Sequence, residues 1–350
     1  MDLHLKSFYK LSALAIASLI AAATPIAAAE AAQAETAEFI YESAPFPSCH
    51  ASTIDETPQG LVAAWFGGKR EGDPSVGIWV SRHTAAGWTT PVEVANGDQT
   101  SGDVKRFPCW NPVLFQVPGG ALQLYYKVGP NPREWWGLVI ESKDHGQTWS
   151  EPRRLPDGIL GPIKNKPILL ANGRLLSGSS TEHQGWRAHF EWSDDQGATW
   201  HKSAAINTGE ELGLIQPTLF HLKDGTIVAY MRCRQRKIAE SRSTDQGETW
   251  STPHMIELPN NNSGLDGVTL VDGRHVLIYN HTPQGRTPLN LAIANDDSLN
   301  WQPLLTLESE PGEYSYPAII QTADGRLHMV YTWKRELIKH VVVDPPAKPE

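Results

Sequence analysis

Cysteine is scarce: Cys49, Cys109 and Cys233 are the only three in 350 residues. That is too few for a disulfide scaffold, and an odd number leaves at least one thiol free. Beyond the N-terminal stretch no apolar run approaches the roughly 18 residues of a membrane span. Long stretches of 3.6-residue periodicity are missing as well, which excludes a helical bundle. Positive charge is not in surplus. The net charge of −9 argues against nucleic acid and anionic membrane surfaces as partners. The chain has no Walker loop, no G-x-G-x-x-G after a strand, no H-E-x-x-H and no zinc-spaced Cys/His set, so no cofactor is called for. His254, His275 and His328 are scattered and read as structural.

The N-terminus has the order of a secretory signal peptide. Lys6 and Lys10 precede an apolar run from Leu11 to Ile20, and an alanine-rich stretch ends in Ala27-Ala28-Ala29. Cleavage is expected after Ala29 or Ala32, giving a signal peptide over 1–29 and a secreted or periplasmic, monomeric product. The remaining chain reads as one domain over 36–345. Thirteen tryptophans, 29 glycines and 26 prolines point to an all-β chain full of turns.

Two repeats run through it. Turn glycines open apolar strands at Gly60, Gly120, Gly173, Gly225, Gly273 and Gly325, at intervals of 60, 53, 52, 48 and 52 residues. Asp-Gly and Asn-Gly between alternating apolar runs are hairpin signals. Six hairpins at a period near 50 predict a six-bladed β-propeller of four-stranded antiparallel blades. In phase with them run the octamers Ser142–Trp149, Ser193–Trp200 and Ser243–Trp250, with worn copies ending at Trp301 and Trp88. The Asp and Ser side chains suit bonds to the turn's own backbone, Gly suits positive φ and Trp suits packing between blades, so these octamers read as structural. A strand around Phe39-Ile40-Tyr41 is expected beside Ile338 to Val343, closing the last blade.

Glycine hairpins and octamer turns share one face, which leaves the other for a site. Blade one presents Cys49, His50, Arg70 and Asp73 there, and blade two presents Arg106, Trp110, Asn111 and Lys127. Blade three adds Lys164, Lys166, Glu182 and Arg187; blade four adds Gln216, Arg232 and Arg234. Asp266, Asn280, His281 and Arg286 come from blade five, and Tyr314, Tyr316 and Arg335 from blade six. Cations gathered in one cleft of an acidic protein select carboxylates, sulfates or phosphates, although any one of them could simply pair with a neighbour such as Glu71 or Asp266. Cys49 and Cys109 both precede innermost strands of neighbouring blades, and a disulfide between them is possible.

The octamers resemble the Asp box S-x-D-x-G-x-T-W of the sialidase superfamily, and the whole chain after the signal peptide is similar to its bacterial BNR-repeat branch. That resemblance implies cleavage of a terminal sialic acid by a Tyr nucleophile assisted by Glu, with an Asp acid/base and three arginines on the sugar carboxylate. Matched by motif, Tyr314-Ser315 resembles the family's Tyr-Ser, making Tyr314 the nucleophile, with Tyr316 beside it in the substrate site. Arg232 and Arg286 resemble carboxylate clamps, and Asp73 the acid/base with Arg70 nearby. Gln216-Pro217 resembles the family's Glu-Pro with the carboxylate lost. The family's Arg-Ile-Pro falls at Cys49-His50-Ala51, without its arginine. A neutral Gln216 cannot take the phenolic proton. Glu182 is then a replacement carboxylate or half of an ion pair with Arg187. His50 is an acid/base candidate or a satisfied structural histidine. Arg106, Lys127, Lys164 and Lys166 are expected to supplement the anion site.

Three functions follow: a glycosidase for a terminal acidic sugar on an oligosaccharide or glycoconjugate, a uronate lyase on the same fold, or a non-catalytic acidic-glycan binder.

Overall fold

The computed structural model describes residues 33–99, 103 and 105–348. The expected signal peptide lies outside the described residues. Six antiparallel sheets follow one another along the chain, the six blades of a β-propeller, with no helix among the described residues. The innermost strands are Ser48–Thr57, Cys109–Gln116, Ile168–Leu169, Leu214–His221, Asp266–Thr269 and Tyr314–Gln321. In blade one the outer position is split, because Gly87–Trp88 and Val92–Ala95 both pair with Gly77–Thr84.

The glycine repeats are hairpins between first and second strands. At Asp224-Gly225, for instance, Gly225 takes φ 88° and Thr226 N–H bonds the Asp224 carboxylate at 2.8 Å. The octamers are the turns between third and fourth strands. Their tryptophans reach back to the preceding blade: Trp250 stacks on Phe190 with centroids 3.5 Å apart, and Trp200 meets Tyr125 edge-on at 5.8 Å. Apolar clusters therefore sit between blades; one joins Phe66 and Val80 of blade one to Leu124 and Tyr126 of blade two. Each pair of faces buries what neither could bury alone.

Closure comes from the N-terminal strand Ala34–Phe39, which pairs antiparallel with Leu337–Val343 as the outer strand of blade six. Ile40 N–H continues the ladder to the Ile338 carbonyl at 3.0 Å, so Leu337–Val343 is paired on its outward side as well.

The suggested disulfide does not form. Cys49, Cys109 and Cys233 are free and buried. Cys49 packs with Tyr41, Phe46 and Trp65, whereas Cys109 packs with Val76 and Ile78 in a different apolar cluster. Burial pushes the Cys49 thiol up to about 12.

Candidate active site at the propeller axis

Four of the innermost strands carry the same defect near their start. The ladder register slips between His50 and Thr53, Trp110 and Val113, Ile215 and Thr218, and Ser315 and Ala318. Within each slip one residue is left-handed: Ala51 (φ 56°), Asn111 (34°), Gln216 (57°) and Tyr316 (49°). In three of them the next residue is proline, Pro112, Pro217 or Pro317, which has no N–H to give the ladder. Such a bulge re-aims a side chain that a regular strand would send elsewhere. Backbone carbonyls freed by the bulges take donors from other blades. Asn165 Nδ2 bonds the Gln216 carbonyl at 3.1 Å, and Ser52 Oγ bonds the Tyr316 carbonyl at 3.4 Å. Lys164 Nζ donates to the carbonyls of Leu265 (3.1 Å) and Pro317.

Tyr316 is the centre that results. Its hydroxyl accepts from Arg232 Nη1 at 2.7 Å and from Gln216 Nε2 at 3.3 Å. Arg232 Nη1 also donates to Gln216 Oε1 at 3.2 Å, which fixes the amide with its NH2 toward the tyrosine. The guanidinium carbons of Arg232 and Arg286 lie 5.5 and 5.8 Å from the Tyr316 ring centre, and Lys164 Nζ lies 6.0 Å from it. The His50 ring sits against the same tyrosine, with centroids 4.2 Å apart. A Cβ at Gly264 would fall 3.3 Å from Lys164, 3.4 Å from Tyr316 and 3.5 Å from Gln216, so bare backbone floors the site.

Around this centre the charges are arranged in shells. Glu313 Oε1 binds Arg286 at 2.6 Å and Arg335 at 2.7 Å, while Arg335 also reaches Glu71 across the seam. Burial opposes ionisation of Glu313, yet Arg335 and Arg286 together hold its carboxyl below the usual range. Burial, then Arg335, Arg286, Arg232 and Lys164, hold His50 far below the ordinary histidine value, so the imidazole is neutral. On the blade-three side Glu182 accepts Trp186 Nε1 at 3.0 Å, and Arg232 and Arg234 lie over the Trp186 ring at 5.0 and 4.6 Å. Burial raises the Glu182 carboxyl against the pull of Arg232, Arg234 and Arg133. The set is a cationic, partly desolvated cluster with a hydroxyl at its middle and one protonatable carboxyl beside it. Among the described residues no group of His, Cys, Asp and Glu is placed to hold a metal ion.

Comparison with known proteins matches this architecture. Residues 59–329 fit the model of the BNR repeat-like domain. The chain belongs to the BNR repeat-like family of the sialidase superfamily. An anhydrosialidase of Macrobdella decora is 27% identical over 233 residues, which are 55% of this chain and 29% of that protein. A sialidase of Clostridium perfringens is 24% identical over 240 residues, 55% of this chain and 62% of that protein. The chain thus spans less than two thirds of either relative. The solved NanB sialidase of Streptococcus pneumoniae superposes with a TM-score of 0.72 at 15% identity, over 88% of this chain and 70% of that one. At that identity it speaks for the fold alone.

Within this BNR repeat-like propeller, Arg232, Arg286, Lys164, Gln216, His50 and Tyr316 converge at the axis, and several other sequence candidates do not. Tyr314 is 1% exposed and packs into the layer between blades five and six with Leu289, Ile319 and Trp333. In a regular strand residues 314 and 316 would face the same way. The bulge separates them, sending Tyr316 to the axis and leaving Tyr314 in the core. Lys127 is fully buried and donates to the Pro162 carbonyl, with burial pushing it down to about 7. Lys166 sits beyond the floor, 3.3 Å from Asp266, in a cleft on the hairpin side. Arg106 is taken by Glu93 at 2.9 Å. Arg187 bonds the Thr208 carbonyl at 2.7 Å and not Glu182. Arg70 and Asp73 stand on an outer loop whose Gly72 lies over Trp110; there Ser75 N–H holds the Asp73 carboxyl below its usual range. Sequence reasoning missed Glu313. Its signal was faint: an acid one residue before the last innermost strand.

Proposed function

We propose that the axial site binds a terminal acidic sugar, sialic acid or a related carboxylated sugar, and cleaves its glycosidic bond with Tyr316 as nucleophile. The observation that carries this reading is the Tyr316 hydroxyl, held by Arg232 and Gln216 inside a ring of buried cations. Arg232 and Arg286 bind the sugar carboxylate, since planar guanidinium forks suit that geometry. A neutral phenol approaches such a substrate without the repulsion a carboxylate nucleophile would meet. Tyr316 Oη bonds to the anomeric carbon as the glycosidic bond breaks, and its proton passes to water, because the burial and cations that keep His50 neutral also oppose a proton on its ring. The leaving oxygen is protonated by Glu182, whose raised carboxyl suits a general acid better than the depressed Asp73 does. Sialidase relatives over half of the chain support the substrate class.

The test is sugar release from 3′-sialyllactose by the wild type, Tyr316→Phe and Tyr314→Phe. Turnover should vanish in Tyr316→Phe and persist in Tyr314→Phe; the opposite pattern overturns the assignment. One observation favours a second reading: the Tyr316 oxygen faces two N–H donors and no carboxylate. Donors so placed stabilise negative charge on oxygen, as a base abstracting a uronate C5 proton requires. Ultraviolet absorbance from an unsaturated uronate would reveal that lyase. Affinity for acidic glycans without turnover on any of them would leave a binding propeller.

A further inference from the structure

Beside the axial site, on the same face, a cleft of about 260 Å³ opens between blades two and three. It lies among loops that follow the second strands of both blades, so it opens where a substrate chain would emerge. Its walls bring Trp135 and Trp136 together with Arg133, Arg154 and Lys202. The cleft joins the axial site by direct neighbours. Thr181 and His183 line it and flank Glu182, and Arg133 already acts on the Glu182 carboxyl. Trp135 meets Trp110 edge-on at 5.9 Å, and Trp110 underlies the Gly72 loop of blade one.

The chemistry of the walls is saccharide chemistry. Indole surfaces cover the apolar faces of sugar rings and leave a polar edge for hydroxyls. A volume below the range of about 300–1,000 Å³ typical of small-molecule sites suits one ring and no more. Charge sets the class of that ring. Arg154 lies 5.2 Å over the Trp136 ring, and its one acidic neighbour in the cleft, Asp157, keeps 97% of its side chain in solvent at 3.6 Å. Lys202 is held to the Gly158 carbonyl at 3.0 Å, which spends a donor and leaves its charge uncompensated. The Arg133 side chain is exposed and makes no ion pair among the described residues.

We infer that this cleft is a second saccharide subsite, which takes the sugar next to the terminal one and selects glycans in which that inner sugar also carries a carboxylate or sulfate. The inference rests on the acidic-sugar reading of the axial site, and it names the chain that site works on: an oligosaccharide with two successive anionic residues. A neutral inner sugar would stack on the indoles and leave the three cations unanswered.

The experiment compares an α2,8-linked disialyl oligosaccharide, 3′-sialyllactose and a fluorogenic monosaccharide sialoside as substrates of the wild type and Arg133→Gln. The wild type should prefer the disialyl substrate over sialyllactose in kcat/KM. Arg133→Gln should raise KM for the disialyl substrate about ten-fold more than for the fluorogenic one, the loss of one charged hydrogen bond. Equal KM changes on all three, or no wild-type preference for the second charge, overturn the subsite. Calorimetric titration of Tyr316→Phe with the disialyl oligosaccharide and with a uronate tetrasaccharide separates the two readings. Should no sugar be turned over while binding weakens about ten-fold in the Tyr316→Phe/Arg133→Gln double variant, the subsite stands and the hydrolase falls.

Discussion

The two faces of the propeller are built by opposite means. On the hairpin face each Asp-box turn is closed by its own serine, aspartate and glycine. Ser142, Ser193 and Ser243 donate to Asp144, Asp195 and Asp245 at 2.8 Å in every copy. The glycine N–H four residues on returns to the serine at 2.7, 2.7 and 2.9 Å. On the axial face the centre is held from a distance: Tyr316 by Gln216 and Arg232, His50 by Thr332 at 3.0 Å, and Arg335 by Glu71. One face repeats a short instruction, and the other assembles a single arrangement from all around the ring. Damage to the first should therefore cost stability and damage to the second activity.

Replacing Arg232 by Met is the most severe way to test that division. Arg232 is 5% exposed and shares its surroundings with Arg286 and Lys164. Losing a desolvated charge that contacts both nucleophile and carboxylate should lower kcat/KM about 10³-fold, at roughly 4 kcal/mol. Removal of like-charge repulsion should leave the melting temperature level or raised. A large fall in melting temperature alongside the lost activity would show that the axial cations also hold the fold.

The same division decides what the amino-acid sequence reveals. Gly225 and the octamer Ser243–Trp250 announce their turns because the bonds that close them run between residues a few positions apart. Blade number and the closing strand follow from such signals. Around the axis the residue types are legible, but their directions are not. Alternation puts Tyr314 and Tyr316 on one side, and only the bulge at Tyr316 parts them. The dipeptides Asn111-Pro112, Gln216-Pro217 and Tyr316-Pro317 mark that bulge, and aligning blades on the prolines would have chosen Tyr316. Lys127 and Lys166 mislead for a related reason, since the Pro162 carbonyl and the buried Asp266 also recruit cations.

The seam sharpens the comparison, because there long-range contacts serve stability. His328 bonds His340 at 3.0 Å, and His340 bonds Glu38 of the N-terminal strand at 3.1 Å, with His83, Arg326 and Asp324 nearby. Burial, then His340 and Arg326, push His328 down to about 4 from an ordinary 6.5. The folded form thus binds its proton more weakly than the unfolded chain. Its contribution is complete above about pH 6.5 and is lost as pH falls from there toward 4, up to roughly 3 kcal/mol. Urea unfolding at pH 7 and 5 should show the loss, and His328→Gln should flatten it. An unchanged slope in that variant would place the acid sensitivity elsewhere.

A smaller loss is expected from Ser243→Ala in the blade-four Asp box. The alanine leaves the Gly247 N–H buried without its acceptor, at about 1–3 kcal/mol. Thermal unfolding should shift down by a few degrees while kcat/KM stays at the wild-type value. A matching fall in kcat/KM would mean that the two faces are coupled through the blade.

The mildest change is also the one that tests the chemistry of the centre most directly. Gln216→Glu keeps shape and puts a carboxylate 3.3 Å from the Tyr316 hydroxyl, where the amide now donates. Arg232, already 3.2 Å from that side chain, would hold the new charge ionised. A carboxylate there accepts the phenol proton as the nucleophile attacks, a role the wild type leaves to water. Sialoside hydrolysis should therefore rise about ten-fold in kcat, at the low end for an added general base. If Gln216→Glu instead lowers kcat, the two N–H donors on the Tyr316 oxygen are themselves the catalytic device. The phenol then works as a charged base and not as a proton-yielding nucleophile, and the uronate lyase becomes the better reading of the same six residues.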